Sequence, residues 1–175
     1  NSFVGIGVSV VPGAGTALIA NNLISANVGY GIQLYPNADD SVVTQNTIVR
    51  NGRSGVIVGG EKTTADGNTI VNNIVSFNGE QGIRTFWGGP VGRGNVASNN
   101  LVYGNPEGGV AGKGLKASAT LNEHPGFVDG PQGEYRLRSD SPAVDRAEGP
   151  NTMPYDFNGH PRPQGEGSDL GAFER

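Results

Sequence analysis

A chain of 175 residues is enough for one domain, and its composition is 35% hydrophobic and 16% charged with a net charge of −4. The absence of any basic run argues against nucleic-acid binding, which needs clustered Lys and Arg, and the absence of cysteine excludes a disulfide frame or a thiolate metal site. No apolar stretch approaches the ~20 residues of a membrane-spanning helix, so no membrane insertion is expected.

In chain order, the first legible feature is Gly5-Ile6, the end of an incomplete phrase. The full phrase follows as NNLISANVGYGI (21–32), QNTIVRNGRSGV (45–56), NNIVSFNGEQGI (72–83) and NNLVYGNPEGGV (99–110). Its second amide position is Asn22, Asn46, Asn73 and Asn100, in steps of 24, 27 and 27 residues. Five residues later comes Asn27, Asn51, Asn78 or Asn105, and then Gly31, Gly55, Gly82 or Gly109 followed by Ile or Val. The 30 glycines and 11 prolines approach the composition of a disordered chain, but disorder needs no register. Self-similarity at this period means a solenoid.

The repeat predicts two short strands per copy. LIS, TIVR and NIVS are short and β-branched, and GIQLY, GVIVG and GIRTF alternate. Helix formers at 3.6 spacing and a repeated Leu frame are both missing. The spacing therefore predicts a parallel β-helix of about four to five coils over 1–112, with strands ~4.8 Å apart and a rod only ~20 Å long. The recurring Asn is expected to take a left-handed backbone at a turn and to hydrogen-bond from coil to coil. The Gly before each second strand is expected at a sharp corner. Residues 113–175 break the period and carry Pro125, Pro131, Pro142, Pro150, Pro154, Pro161 and Pro163; they predict an irregular region packing on the last coil. The first coil has no visible cap, which calls for upstream coils or another chain at that end. A start at Asn1 without Met suggests an excised or processed piece. The 18 Asn residues include no Asn-x-Ser/Thr acceptor, which argues against evolution under eukaryotic glycosylation.

These repeats resemble those of right-handed parallel β-helix proteins of the pectin-lyase-like kind. The tail segments HPGFVDG, EYRLRSDSPAVDRA and DFNGHPRPQGEGSDLGAFE resemble the C-terminal region of bacterial β-helix proteins of the choice-of-anchor Q type. The resemblance implies an all-β, right-handed solenoid with a C-terminal capping region, secreted or on a bacterial cell surface.

Strand alternation supplies candidate site residues. With Ile32, Leu34, Val56, Val58, Ile83 and Thr85 inside, two outer columns follow: Gln33, Ile57, Arg84 and Tyr35, Gly59, Phe86, with Trp87 just beyond. Gln33, Tyr35, Phe86 and Trp87 form a candidate polysaccharide-binding strip, since aromatic faces pack on sugar C–H surfaces and polar side chains bond hydroxyls. Lys62 and Arg84, in EKTTADGNTI and GIRT, resemble the Lys and Arg spacing of alginate and chondroitin lyases of this fold, in which a base abstracts a proton and Ca2+ often neutralises the uronate. Those lyases carry acidic calcium ligands before the Lys, where this chain offers only Glu61, so whether the chain is an enzyme stays open. Asp39, Asp40 and Asp66 could serve a glycosidase but read first as turn residues. DFNG (156–159) with Asp169 could hold Ca2+ and also reads first as a turn. GGVAGKG (108–114) fails as a phosphate loop, because no Ser or Thr follows Lys113. Two functions remain: a polysaccharide-recognising module, either alone or as the C-terminal part of a lyase or related enzyme, or a non-catalytic adhesion or fibre-forming module.

Overall fold

The computed structural model describes residues 3–8, 16–35, 37–59, 63–86, 88–90 and 92–175. Fourteen short strands wind into three parallel sheets. The first sheet orders β1 (Val4–Val8), β4 (Tyr30–Leu34), β7 (Val56–Val58), β10 (Ile83–Thr85) and β13 (Val110–Ala111). The second holds β2 (Leu18–Ala20), β5 (Val42–Thr44), β8 (Thr69–Val71), β11 (Asn95–Ser98) and β14 (Leu115–Ser118); the third holds β3 (Leu23–Ser25), β6 (Thr47–Val49), β9 (Ile74–Ser76) and β12 (Leu101–Tyr103). Each coil thus has three strands, one more than the sequence reading assigned. Pairing continues through β14 and an isolated bridge from Leu101 to Leu121, so the winding runs past the point where the sequence period fades.

Alternation sends one file of each sheet inward. Ile6, Ile32, Val56, Ile83 and Val110 stack in register on the first sheet; Ile19, Val43, Ile70 and Ala97 do so on the second; Ile24, Ile48, Val75 and Val102 on the third. Together they make one continuous apolar core.

The corners explain the Asn positions, with a correction. The left-handed residue is the one before each recurring Asn: Asn21, Gln45, Asn72 and Asn99 at one corner, and Ala26, Arg50, Phe77 and Gly104 at the other, with φ between 48° and 67°. The Asn itself builds the ladder. Asn46 donates from Nδ2 to Asn73 Oδ1 at 3.0 Å and to the Ile19 and Thr44 carbonyls, while its Oδ1 accepts from the backbone N–H and Nδ2 of Asn22. The same chain links Asn73 to Asn100, and Asn27 through Asn51 and Asn78 to Asn105. Corners expose backbone groups that no strand pairs, and the amides satisfy them inside the stack.

The recurring Gly stands at a bend just before the strand of the first sheet, at Gly55, Gly82 and Gly109. Gly31, Gly55 and Gly82 do not carry positive φ. A Cβ on Gly82 would lie 2.7 Å from the Gly109 carbonyl oxygen and 3.0 Å from Asn105 Nδ2, and would also strike Val102. The chain does bend at Gly55 and Gly82, as expected, and the residue there must be small because the ladder and the next coil occupy the space a side chain would need.

The tail lies along the outer face of the third sheet instead of on the last coil alone. Phe127, Tyr135, Leu137, Leu170 and Phe173 bury themselves against the outward residues Val49, Ile74 and Leu101. A row of corner amides reaches it from every coil: Asn21 donates to the Tyr155 carbonyl, Gln45 to Asp169, Asn72 to Glu148 and Asn99 to Arg146. The first amide of each "NN" pair therefore holds the tail, and the second holds the ladder. An antiparallel hairpin, β15 (Phe127–Asp129) with β16 (Glu134–Leu137), starts this region. A buried ion pair, Arg162 to Glu174 at 2.9 Å, closes it.

Candidate functional site

The outer face of the first sheet carries the expected columns. Register places Gln33, Ile57, Arg84 and Ala111 side by side across successive coils. Ile57 points away from the core as expected but is fully buried, packed between half-buried Gln33 and Arg84. The next column runs Tyr35, Gly59 and Phe86: their backbone N–H groups donate to Val8, Leu34 and Val58 in turn, and Phe86 Cβ lies against Gly59. Tyr35 is 41% exposed and Phe86 is half-buried. Lys62 and Trp87 lie outside the described residues, so the Lys62–Arg84 pairing and the Trp87 end of the strip have no geometry to report.

Adding one 27-residue step to Phe86 gives Lys113, which sequence reasoning considered only as part of a failed phosphate loop. Lys113 lines a groove of about 400 Å³ with Arg84, Phe86 and Gln81 at the end of the first sheet. Its ammonium is exposed and has no ion-pair partner among the described residues.

Charges on the flanking corner are paired along the stack. Arg84 Nη1 sits 3.2 Å from Glu107 Oε2, and Arg53 Nε sits 3.2 Å from Glu80 Oε1. Arg53 also donates to the Tyr30 hydroxyl at 3.0 Å and lies over the Tyr30 and Phe3 rings. Burial raises the Tyr30 hydroxyl above its ordinary value, and the Arg53 charge opposes that. An arginine held by a carboxylate is a charge and hydrogen-bond donor, not a free base. This face can therefore present aromatic surface, amide and cations to a ligand.

The acidic candidates serve the backbone. Asp39 Oδ1 accepts from Asp66 N–H at 2.7 Å, and Asp66 Oδ1 accepts from Arg93 N–H at 2.6 Å, a ladder of turns. Asp156 Oδ1 accepts from Asn158 and His160, and its Oδ2 accepts from Glu174. Burial alone would raise the Asp156 carboxyl, but these three N–H groups together hold it below the ordinary Asp range. Among the described residues no group of three or more His, Asp or Glu could hold a metal ion, and the DFNG turn is closed by backbone bonds where Ca2+ would have needed open oxygens.

A pectate lyase, Pel9A, is similar in its crystal structure at 14% identity with a TM-score of 0.35, over 90% of this chain and 65% of that one. The chain thus spans just under two thirds of the length of that lyase. No curated protein matches. The family model described as "Right handed beta helix region" matches residues 1–123, the same stretch whose coils and Asn ladders are described above, and the chain belongs to that family.

Proposed function

We propose that the chain is a polysaccharide-recognising β-helix module, secreted or on a bacterial surface, that binds an extended glycan along the outer face of its first sheet. The observation that supports this is the column of Tyr35, Gly59 and Phe86 across successive coils, beside Gln33 and Arg84, with Lys113 lining the same groove as Phe86. Aromatic rings two coils apart offer flat apolar surface to sugar rings, and Gly59 leaves the space between them open. Lys113 adds a cation, without an ion-pair partner among the described residues, that suits an acidic unit of the glycan. Affinity electrophoresis through alginate, pectate and chondroitin tests the reading. Retardation by at least one of them, reduced about tenfold by Tyr35→Ala with Phe86→Ala, is expected; unretarded migration in every gel would end it. A polysaccharide-lyase activity through Lys62 and Arg84, with Ca2+ as its cofactor, is the catalytic form of the same proposal. Its check is ultraviolet absorbance of the unsaturated product with calcium present.

One observation favours the structural alternative. Coil 1 leaves Phe3, Leu18 and Val28 more than half exposed, and no described strand pairs with the outer edges of β1 and β2. On that reading the edge stacks on further coils or another chain, as in an adhesion or fibre module. Concentration-dependent sedimentation distinguishes it from a monomeric glycan binder.

A further inference from the structure

A second cavity, of about 440 Å³, opens where the tail hairpin crosses the corner between the third and first sheets. It shares no residue with the groove on the first sheet and does not rest on the reading given to that groove. Its inner walls are aromatic. Phe77 lies edge-on to Tyr103, with centroids 5.8 Å apart, and tilts against His124 at 5.6 Å; from the tail, Phe127 meets Tyr135 edge-on at 5.2 Å.

Phe77 is held in the left-handed backbone region at φ 57°, which a bulky residue rarely adopts. Its ring lies where a side chain on Gly104 of the next coil would go. The same corner column places Arg50 one coil before Phe77. The Arg50 guanidinium is exposed and has no carboxylate partner among the described residues. Arg138 also lines the cavity, but its Nε and Nη2 are engaged by Asp140 at 3.0 and 3.3 Å. His124 Nδ1 accepts from the Gly126 N–H at 3.1 Å, so the neutral ring carries its hydrogen on Nε2 and can donate. Asp129 lines the same cavity without an ion pair to Arg50 among the described residues, and supplies acceptor oxygens and one negative charge, while Asp140 pairs with Arg138.

We infer that this cavity is a binding site for a neutral sugar unit, a free monosaccharide or the end of a neutral glycan, seated on the aromatic walls and hydrogen-bonded by Arg50, His124 and Asp129. Aromatic walls with balanced donors and acceptors fit a ring that is apolar on its face and hydroxylated at its rim. Two cations, Arg50 and Arg138, stand against two carboxylates, Asp129 and Asp140, so the cavity and its rim carry no net charge to draw a carboxylated sugar in preference to a neutral one. Its size lies within the range of small-ligand sites.

The protein has two histidines, so proton NMR of the imidazole signals reads the site directly. Neutral methyl glycosides and free uronates are titrated in separate arms, with a short neutral oligosaccharide beside each monosaccharide to separate the two sources. His160, beside Asp156 in another part of the tail, serves as the internal reference. The expected result is a saturable shift of the His124 signal with at least one neutral glycoside and a still His160. Arg50→Ala should weaken that binding about tenfold. Folding should survive the change, because Ala26 already occupies the same corner column at φ 55°. Tyr35→Ala with Phe86→Ala should leave the His124 shift intact, which separates this cavity from the groove on the first sheet. A His124 signal unmoved by every neutral sugar, a preference for uronates, or unchanged affinity in Arg50→Ala would each overturn the inference.

Discussion

At the scale of one residue, Asn73 shows what the repeat conserves physically. Its Oδ1 accepts two hydrogen bonds from Asn46, and its Nδ2 serves the Val43 and Val71 carbonyls and Asn100 Oδ1. Every one of these groups is away from water, so removing the amide leaves several unsatisfied at ~1–3 kcal/mol each. Asn73→Ala is therefore expected to cost ~3–5 kcal/mol and to lower Tm by roughly 10 °C in a thermal melt followed by circular dichroism. Asn122→Ala, at an exposed site, should change little. Equal melting of the two variants would show that the ladder contributes no stability. The ladder was legible because Asn recurs at fixed steps. The left-handed residue before it was not, since Ala26, Arg50 and Phe77 have no backbone preference for that region, and the tertiary stack imposes it. Lys113 was legible in principle, one period after Phe86, whereas the capture of Arg84 by Glu107 depends on side-chain geometry that no spacing encodes.

At the scale of an element, the tail is held by buried polar contacts. Arg162 donates to Glu174 and to the Asp169 and Gly171 carbonyls with its side chain out of solvent. Taking away one member of such a pair costs more than the pair contributes, because the other charge stays buried. Glu174→Gln is expected to destabilise the protein by ~3 kcal/mol or more, visible as a lower urea midpoint. Asp169 adds a pH signature. Burial, helped by the charge of Glu174, raises its carboxyl from 3.8 to about 6, against two backbone N–H bonds that favour the ionised form. The folded chain thus holds this proton more tightly than the unfolded chain. Its contribution is full below about pH 4 and is lost as pH rises through about 6. Asp156 acts in the opposite sense, stabilising above the ordinary Asp range and losing that contribution as pH falls through its depressed value. Between pH 4 and 6, Tm should fall as pH rises, and Asp169→Asn should flatten that slope whatever it does to absolute stability. An unchanged slope would move the titration elsewhere. The existence of a proline-rich tail was legible in the sequence, but its course was not. Its contacts join residues more than a hundred positions apart and follow no period.

At the scale of the whole molecule, three sheets share one core, and the tail covers the outward apolar file of one of them. Cutting the chain after residue 123 should bare Val49, Ile74 and Leu101 together. The expected result is a species that binds hydrophobic dye and elutes as aggregates in size-exclusion chromatography. A monomeric product with an unchanged melt would mean that the coils need no cover. The winding itself was readable because its register is written in every copy, while the third strand of each coil was missed: segments such as VVT and NVAS lie outside the repeated Asn-to-Gly phrase that marks the other two.

The amide ladders also give the molecule a sense of direction. Each rung passes its hydrogen from a lower coil to the oxygen of the coil above, so the Asn22 oxygen receives none among the described residues. Two copies meeting head to head at that end would set oxygen against oxygen, and a two-fold dimer there is disfavoured. An added layer that follows the same one-way order, amide hydrogen toward amide oxygen, meets no such conflict.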